Sequence, residues 1–183
     1  IITMFSKNLF GCLYIVFLMS NSVAGIKMTS IEPELIGDLI VIGDVHGCPQ
    51  CLQTTLFTNG ITDSGGHWVA GNRTVVQVGD LIGRGPDDPG VIAFVQRMQV
   101  EAKNNGGEWI QLLGNHEYME LNGDFRYAND GMSGSSSEVG FGSLSARREA
   151  FGESGAVGNW LRQQRIVYQW KDVVMVHGGI SSL

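Results

Sequence analysis

An α/β fold built on a parallel sheet is what this sequence predicts, and three observations predict it. Residues 39–43, 74–79, 109–114 and 173–176 are short apolar or β-branched runs with the composition of buried parallel strands. Segments of helical spacing separate the first three, and a β-α-β-α-β order requires right-handed crossovers. Each run ends in residues suited to a metal: Asp44 and His46, then Asp80, then Asn115 with His116 and Glu117, then His177. Open α/β sheets place their sites at the carboxyl ends of the strands, so the four ends should meet at one edge.

The elements follow in order. Residues 40–44 form the first strand and 51–58 the helix after it. A Gly-rich connection over 62–72, carrying Trp68, leads to the second strand at 74–78. Residues 89–104 set Val91, Phe94, Val95 and Met98 at helical spacing and should pack on the sheet. The third strand covers 109–113. Residues 122–142, with Gly131-Met-Ser-Gly-Ser-Ser-Ser137, read as an exposed, mobile insertion. Helices are expected at 144–151 and 156–164. Residues 166–170 and 173–176, split by Lys171-Asp172, read as a hairpin.

The 183 residues suit one domain, expected to occupy residues 25–183. Residues 1–24 read as a signal peptide: Met4, Lys7, an apolar stretch over 9–19, and the small-residue site Ser22-Val23-Ala24. That stretch is well short of the roughly 20 residues a membrane span needs, so no stable membrane insertion is expected after cleavage. The expected destination is the secretory pathway, in the endoplasmic reticulum lumen or outside the cell. Residues 1–24 hold one Lys and no acid, so the net charge of −6 becomes −7 without them. An acidic chain without a basic cluster excludes nucleic acid as a partner, because that binding rests on Lys and Arg against phosphates.

Asp44 and His46 stand two apart, so on an extended strand both could reach one cation. Asp80 could bridge two cations, because a carboxylate offers several lone pairs. Asn115 and His177 would then serve the second. Carboxylates mixed with imidazole suit two divalent or trivalent ions of the Mn, Fe or Zn type. Any one of these residues alone is an ordinary turn or core residue. The conjunction is what counts, because three of the four histidines sit in these strand-end motifs. His67, in the Gly-rich connection, is expected simply to be exposed.

The motifs Gly43-Asp-Val-His-Gly47, Gly79-Asp80, Gly114-Asn-His-Glu117 and His177-Gly-Gly179 resemble the signature set of the phosphoprotein phosphatase branch of calcineurin-like metallophosphoesterases. Within it, Leu113-Gly-Asn-His-Glu-Tyr-Met119, Leu121-Asn-Gly-Asp-Phe-Arg-Tyr127 and the segment at Trp160 resemble the Shewanella-like protein phosphatases. The resemblance implies an αββα sandwich. It further implies that Asp44, His46 and Asp80 hold one metal while Asp80, Asn115 and His177 hold the other. Arg84 would grip the substrate phosphate, as a planar guanidinium can. His116 would protonate the leaving oxygen, and a metal-bridging hydroxide would attack phosphorus.

Two departures bear on this. The family usually has Asp where this chain has Gly83, and that Asp orients the general-acid His. Without it His116 lacks an orienter unless Glu117, Asp87 or Asp88 substitutes. The resemblance also implies a further metal-ligand His, a second phosphate-binding Arg and the rest of the second sheet beyond residue 183. The chain is therefore expected to be the front part of a longer protein, truncated at the C-terminus. These 183 residues alone should be inactive, with an uncovered apolar sheet face.

Cys48 and Cys51 follow the first metal motif and could form a disulfide at a helix start, near enough to His46 to gate the site. Arg126 could add a substrate contact or pack the base of its loop, and Tyr127 is expected to do the latter. The leading function is a metal-dependent phosphatase acting on phosphoproteins, phosphotyrosine among them. Alternatives are a nucleotide or dinucleoside-polyphosphate hydrolase, which shares the front motifs, and a pseudophosphatase that binds without turnover.

Overall fold

The computed structural model describes residues 39–129 and 140–180. The expected signal peptide and the centre of the expected insertion lie outside them. Three strands, β1 (Leu39–Ile42), β2 (Thr74–Gln77) and β3 (Glu108–Gln111), form a parallel sheet in that order. Val41 pairs with Val76, and Val76 with Ile110. The crossovers run through α1 (Pro49–Thr58) and α2 (Asp88–Asn104). Helix α2 starts where it does because Asp87 accepts the Gly90 amide at 2.8 Å, with Pro89 in the first turn.

After β3 comes α3 (Asn115–Leu121), an element the strand-and-helix spacing did not reveal. Helices α4 (Leu144–Phe151) and α5 (Ala156–Arg162) follow, and Ser143 caps α4 by accepting the Ala146 amide at 3.1 Å. Strands β4 (Val167–Trp170) and β5 (Val173–Val176) close the described chain as an antiparallel hairpin. The fourth apolar run is therefore not a strand of the parallel sheet. Only Met175 of β5 is buried, and β4–β5 is a sheet of its own. A run of four valine-like residues reads the same in either setting, and the pairing partner decides.

The two faces of the sheet bury different sets, as a period of two requires. Val75 and Trp109 face the helices, against Leu52, Leu56, Val91, Val95, Met98, Phe151 and Leu161. Val76, Val78, Ile110 and Leu112 face the other way, with Met175 and the partly buried Tyr168, Trp170 and Val173. Each such side chain contributes about 1.5–3 kcal/mol on burial. The expectation of an uncovered face is thus corrected for β2 and β3, which the hairpin covers. On β1, Leu39 and Val41 remain half-buried.

Candidate active site

The ends of β1, β2 and β3 and the end of β5 converge, so the four motifs do meet, with His177 arriving from the second sheet. Two buried glutamines hold the turns. Gln77 donates to the carbonyls of Gly43 and Gly79 at 3.0 and 2.7 Å and accepts the Gly79 amide at 3.0 Å. Gln111, at the matching place on β3, donates to the Gln77 side-chain oxygen. One polar residue near the end of each of two apolar strands was a readable signal, and sequence reasoning passed over it.

Three site residues adopt left-handed backbone conformations: His46 at φ 50°, Asp80 at 53° and Arg84 at 69°. Non-glycine residues hold such angles at a cost on the order of 1 kcal/mol or more, and only where the surroundings enforce them. The enforcement is visible. Val45 and His46 both donate their amides to the Asp80 carbonyl, at 3.0 and 3.1 Å. The fully buried Glu117 accepts the amides of Asp80, Leu81, Ile82 and Gly114 at 2.7–3.2 Å. Burial pushes the Glu117 carboxyl up, against the amide donors that favour its charge. Gly79, at φ 102°, lies where any Cβ would run into the backbone of Gly114, so the second and third motifs can touch only through glycine.

Asp80 is the centre. Its Oδ1 accepts the His116 amide at 3.0 Å, inside the first turn of α3, and lies 3.4 Å from His177 Nε2. Its Oδ2 lies 4.0 Å from Nε2 of both His46 and His116. His46 Nε2 is also 3.6 Å from Asp44 Oδ2, and His177 Nε2 is 3.0 Å from Asn115 Oδ1. Among the described residues, two groups of donor atoms could each hold a cation: His46, Asp80 and His116, and Asp44, Asp80 and His177. Asp80 is common to both. The expected first group, Asp44, His46 and Asp80, is divided between the two, with His116 completing one and His177 the other, although His46 Nε2 stays 3.6 Å from Asp44 Oδ2.

The electrostatics agree with a cation site. Burial works against the Asp80 charge, but the His177 ring and the His116 amide outweigh it and hold the carboxyl below its ordinary value. His46 is raised by its Asp44 hydrogen bond, and His177 by Asp80, both against burial. A field that draws protons to these rings also draws metal cations, which compete for the same lone pairs. His116 is the exception: burial lowers it.

Arg84 donates through Nε to His116 Nε2 at 3.2 Å, so the two groups expected to handle phosphate and leaving oxygen are neighbours. Gly83 lies on the other side of that ring, where an added Cβ would meet His116 Nδ1. Of the three acids named as substitutes for the absent carboxylate, Glu117 and Asp87 are committed to backbone amides, whereas the Asp88 charge favours a protonated His116 against burial. Glu117 serves four amides, Asp87 caps α2, and Asp88 accepts the Gly83 amide at 2.8 Å while pairing with Arg147 at 2.6 Å. Arg147, fully buried on α4, also pairs with Glu120 at 2.7 Å. Sequence reasoning did not single out Arg147, which stands beside Arg148 on a short helix.

Arg126 points elsewhere. It is 67 % exposed, pairs with Asp124 at 2.7 Å, and lines a surface cleft of about 410 Å³ with Phe125, Leu144 and Arg148. Tyr127, expected to pack the loop base, instead lies 5.2 Å from the His116 ring with the Arg84 guanidinium 5.1 Å from its centre. Cys48 and Cys51 are joined as a disulfide at the start of α1. His67 is 65 % exposed and pairs with Glu101.

Comparison with known proteins accords with this geometry. The chain is 38 % identical over 89 residues to Shewanella-like protein phosphatase 2 of Arabidopsis thaliana, covering 49 % of this chain and 23 % of that one. It is 36 % identical over 146 residues to an uncharacterised protein of Schizosaccharomyces pombe, covering 76 % and 43 %. A symmetrical bis(5'-nucleosyl)-tetraphosphatase of Proteus mirabilis is 31 % identical over 143 residues, covering 77 % and 44 %. The crystal structure of a cold-active protein-tyrosine phosphatase from a psychrophilic Shewanella superposes with a TM-score of 0.65 at 30 % identity, over 84 % of this chain and 48 % of that one. The chain thus spans less than half the length of these relatives. The calcineurin-like phosphoesterase family model matches residues 38–183, and the chain belongs to that family.

Proposed function

We propose that the full-length protein is a metal-dependent phosphatase that hydrolyses phosphomonoesters on proteins, phosphotyrosine among them. The observation that carries this is Asp80, shared by two groups of cation donors and set beside the Arg84–His116 pair. The donor set fits metal: carboxylates and imidazoles at one edge suit Mn, Fe or Zn. Bound cations withdraw charge from phosphate oxygens and acidify water. Asp44, His46, Asp80, Asn115 and His177 would hold them, with Asn115 also placed to contact the phosphate beside His177. Arg84 would take the phosphate in a fork of N–H donors. His116, relieved of its hydrogen bond from Arg84, would present Nε2 to the leaving oxygen.

The similarity to the Proteus tetraphosphatase favours a second reading, a dinucleoside-polyphosphate hydrolase. Gly83 supports a third, a protein that binds phosphate without turnover. One panel separates them, run on full-length protein of measured metal content: phosphotyrosine and phosphoserine peptides, and a dinucleoside tetraphosphate. Phosphopeptide turnover that is lost in Asp80→Asn is the expected result. Faster cleavage of the tetraphosphate would put the second reading first. Bound metal with no turnover on any substrate would leave the third.

Routing into the secretory pathway is part of the same proposal. The signal-like residues 1–24 and the bonded Cys48–Cys51 pair support it, since disulfides persist in oxidising compartments. Expression in a secreting cell, with N-terminal sequencing of the product, should find a new terminus at Gly25. Retention in the cytosol would remove this part.

A further inference from the structure

We propose that Tyr127, anchored with Asn129 onto the Arg84 turn, is the positioning residue for Arg84 and His116, taking over from the side chain absent at position 83. The left-handed Arg84 has both its backbone groups held by one segment. Its amide donates to the Tyr127 carbonyl at 2.7 Å, and its carbonyl accepts from the Asn129 side chain at 3.1 Å. The Tyr127 ring then contacts what this turn presents, the guanidinium at 5.1 Å and the His116 ring at 5.2 Å, tilted 33°. A cation against an aromatic face is attracted by the ring quadrupole, and packing a ring on imidazole restricts its rotation.

The need for such a part follows from Gly83. Gly83 offers no side chain to His116 Nδ1, Glu117 and Asp87 accept backbone amides, and Asp88 holds the Gly83 amide and Arg147. His116 is held by Arg84 at Nε2, by the His46 ring edge-on at 4.7 Å, and by Tyr127. Tyr127 alone of these touches both His116 and Arg84 from outside the metal groups. It is 43 % exposed, so part of it stays open to solvent beside the site.

The test uses the full-length protein with Tyr127→Leu, Tyr127→Phe and Asn129→Ala. Three quantities are read: the ring-nitrogen resonances of His116, assigned with His116→Gln; the affinity for inorganic phosphate; and kcat and KM on a phosphotyrosine peptide. Only the last rests on the phosphatase reading. Tyr127→Leu should move the His116 resonances, weaken phosphate binding about tenfold and lower kcat similarly. Tyr127→Phe, which keeps the ring, should restore all three, as a general packing defect would not. Asn129→Ala should change the same quantities in the same direction, and decides the matter if Tyr127→Leu does not fold. His116 resonances and phosphate affinity unchanged in the Leu variant would overturn the proposal. Shifted resonances and weaker phosphate binding in a protein without turnover would uphold it and sink the phosphatase reading instead.

Discussion

Gly83 stands against Nδ1 of His116, on the side of the imidazole where an orienting carboxylate would be expected and where even a Cβ has no room. Gly83 also holds φ 80°, so a side chain there is strained whatever its neighbours do. Gly83→Ala should cost about 1–2 kcal/mol of stability, seen as a lower urea midpoint. Gly83→Asp shares that strain but can pair with Nδ1 once the ring shifts. Its turnover ratio of phosphoserine to aryl phosphate should therefore exceed that of Gly83→Ala, because a poorer leaving group needs the proton more. Equal ratios would show that the carboxylate does not reach the ring.

Asp80 belongs to both groups of cation donors, whereas His46 and His177 belong to one each. Asp80→Asn should reduce bound metal more than His46→Ala or His177→Ala, by elemental analysis after dialysis against Mn or Zn. A metal content in Asp80→Asn as high as in the histidine variants would refute the shared role.

Glu117 accepts four backbone amides from two motifs. Glutamine would offer one oxygen and turn an N–H₂ toward amide donors. Glu117→Gln should lose about 3 kcal/mol in urea unfolding, since hydrogen bonds to charge are the strong ones and the site stays buried. A loss under about 1 kcal/mol would mean that the turns hold without it.

Arg147 is buried between Asp88 and Glu120. Arg147→Met leaves two buried carboxylates without this cation and should cost about 3–5 kcal/mol. Because Asp88 also accepts the Gly83 amide, the substitution should loosen the Arg84 turn as well. Hydrogen exchange at Gly83 reports this, and exchange as slow as in the parent would contradict it.

Glu101 gives a pH prediction. Burial tends to raise its carboxyl, but the Trp68 amide, Arg97 and His67 outweigh burial and depress it below its ordinary 4.5. A depressed folded value contributes stability above the unfolded value, and this is lost as pH falls through the folded one. Glu101→Gln should therefore lower the melting temperature at pH 7, with the gap to the parent closing in acid. A gap constant across pH would show that charge is not involved.

Much of the fold was legible. Helix α4 has the expected bounds, and β1–β3 pair in parallel as the β-α-β-α-β order requires. Local pattern suffices there, because burial on two faces and on one helical stripe leaves a periodic trace. Helix α3 was missed because its seven residues include two buried acids and a buried imidazole, so its inward face is polar. β5 pairs with β4 as the expected hairpin and not as a strand of the parallel sheet, because a strand's composition does not name its partner.

The site divides the same way. Asp44, His46, Asp80, Asn115, His116 and His177 could be named from the sequence, because strand-end motifs in order are a one-dimensional signal. How their donor atoms cluster could not, since His46 turns through a left-handed residue that no spacing predicts. Nor could the places of Tyr127 and Arg126, one residue apart, with one ring on His116 and the other side chain paired to Asp124 in solvent. Sequence alone determined which chemical groups are present and roughly where along the strands they emerge, because backbone periodicity is local. Tertiary structure decided which groups touch, because side-chain direction in turns depends on amides and carboxylates supplied by distant segments.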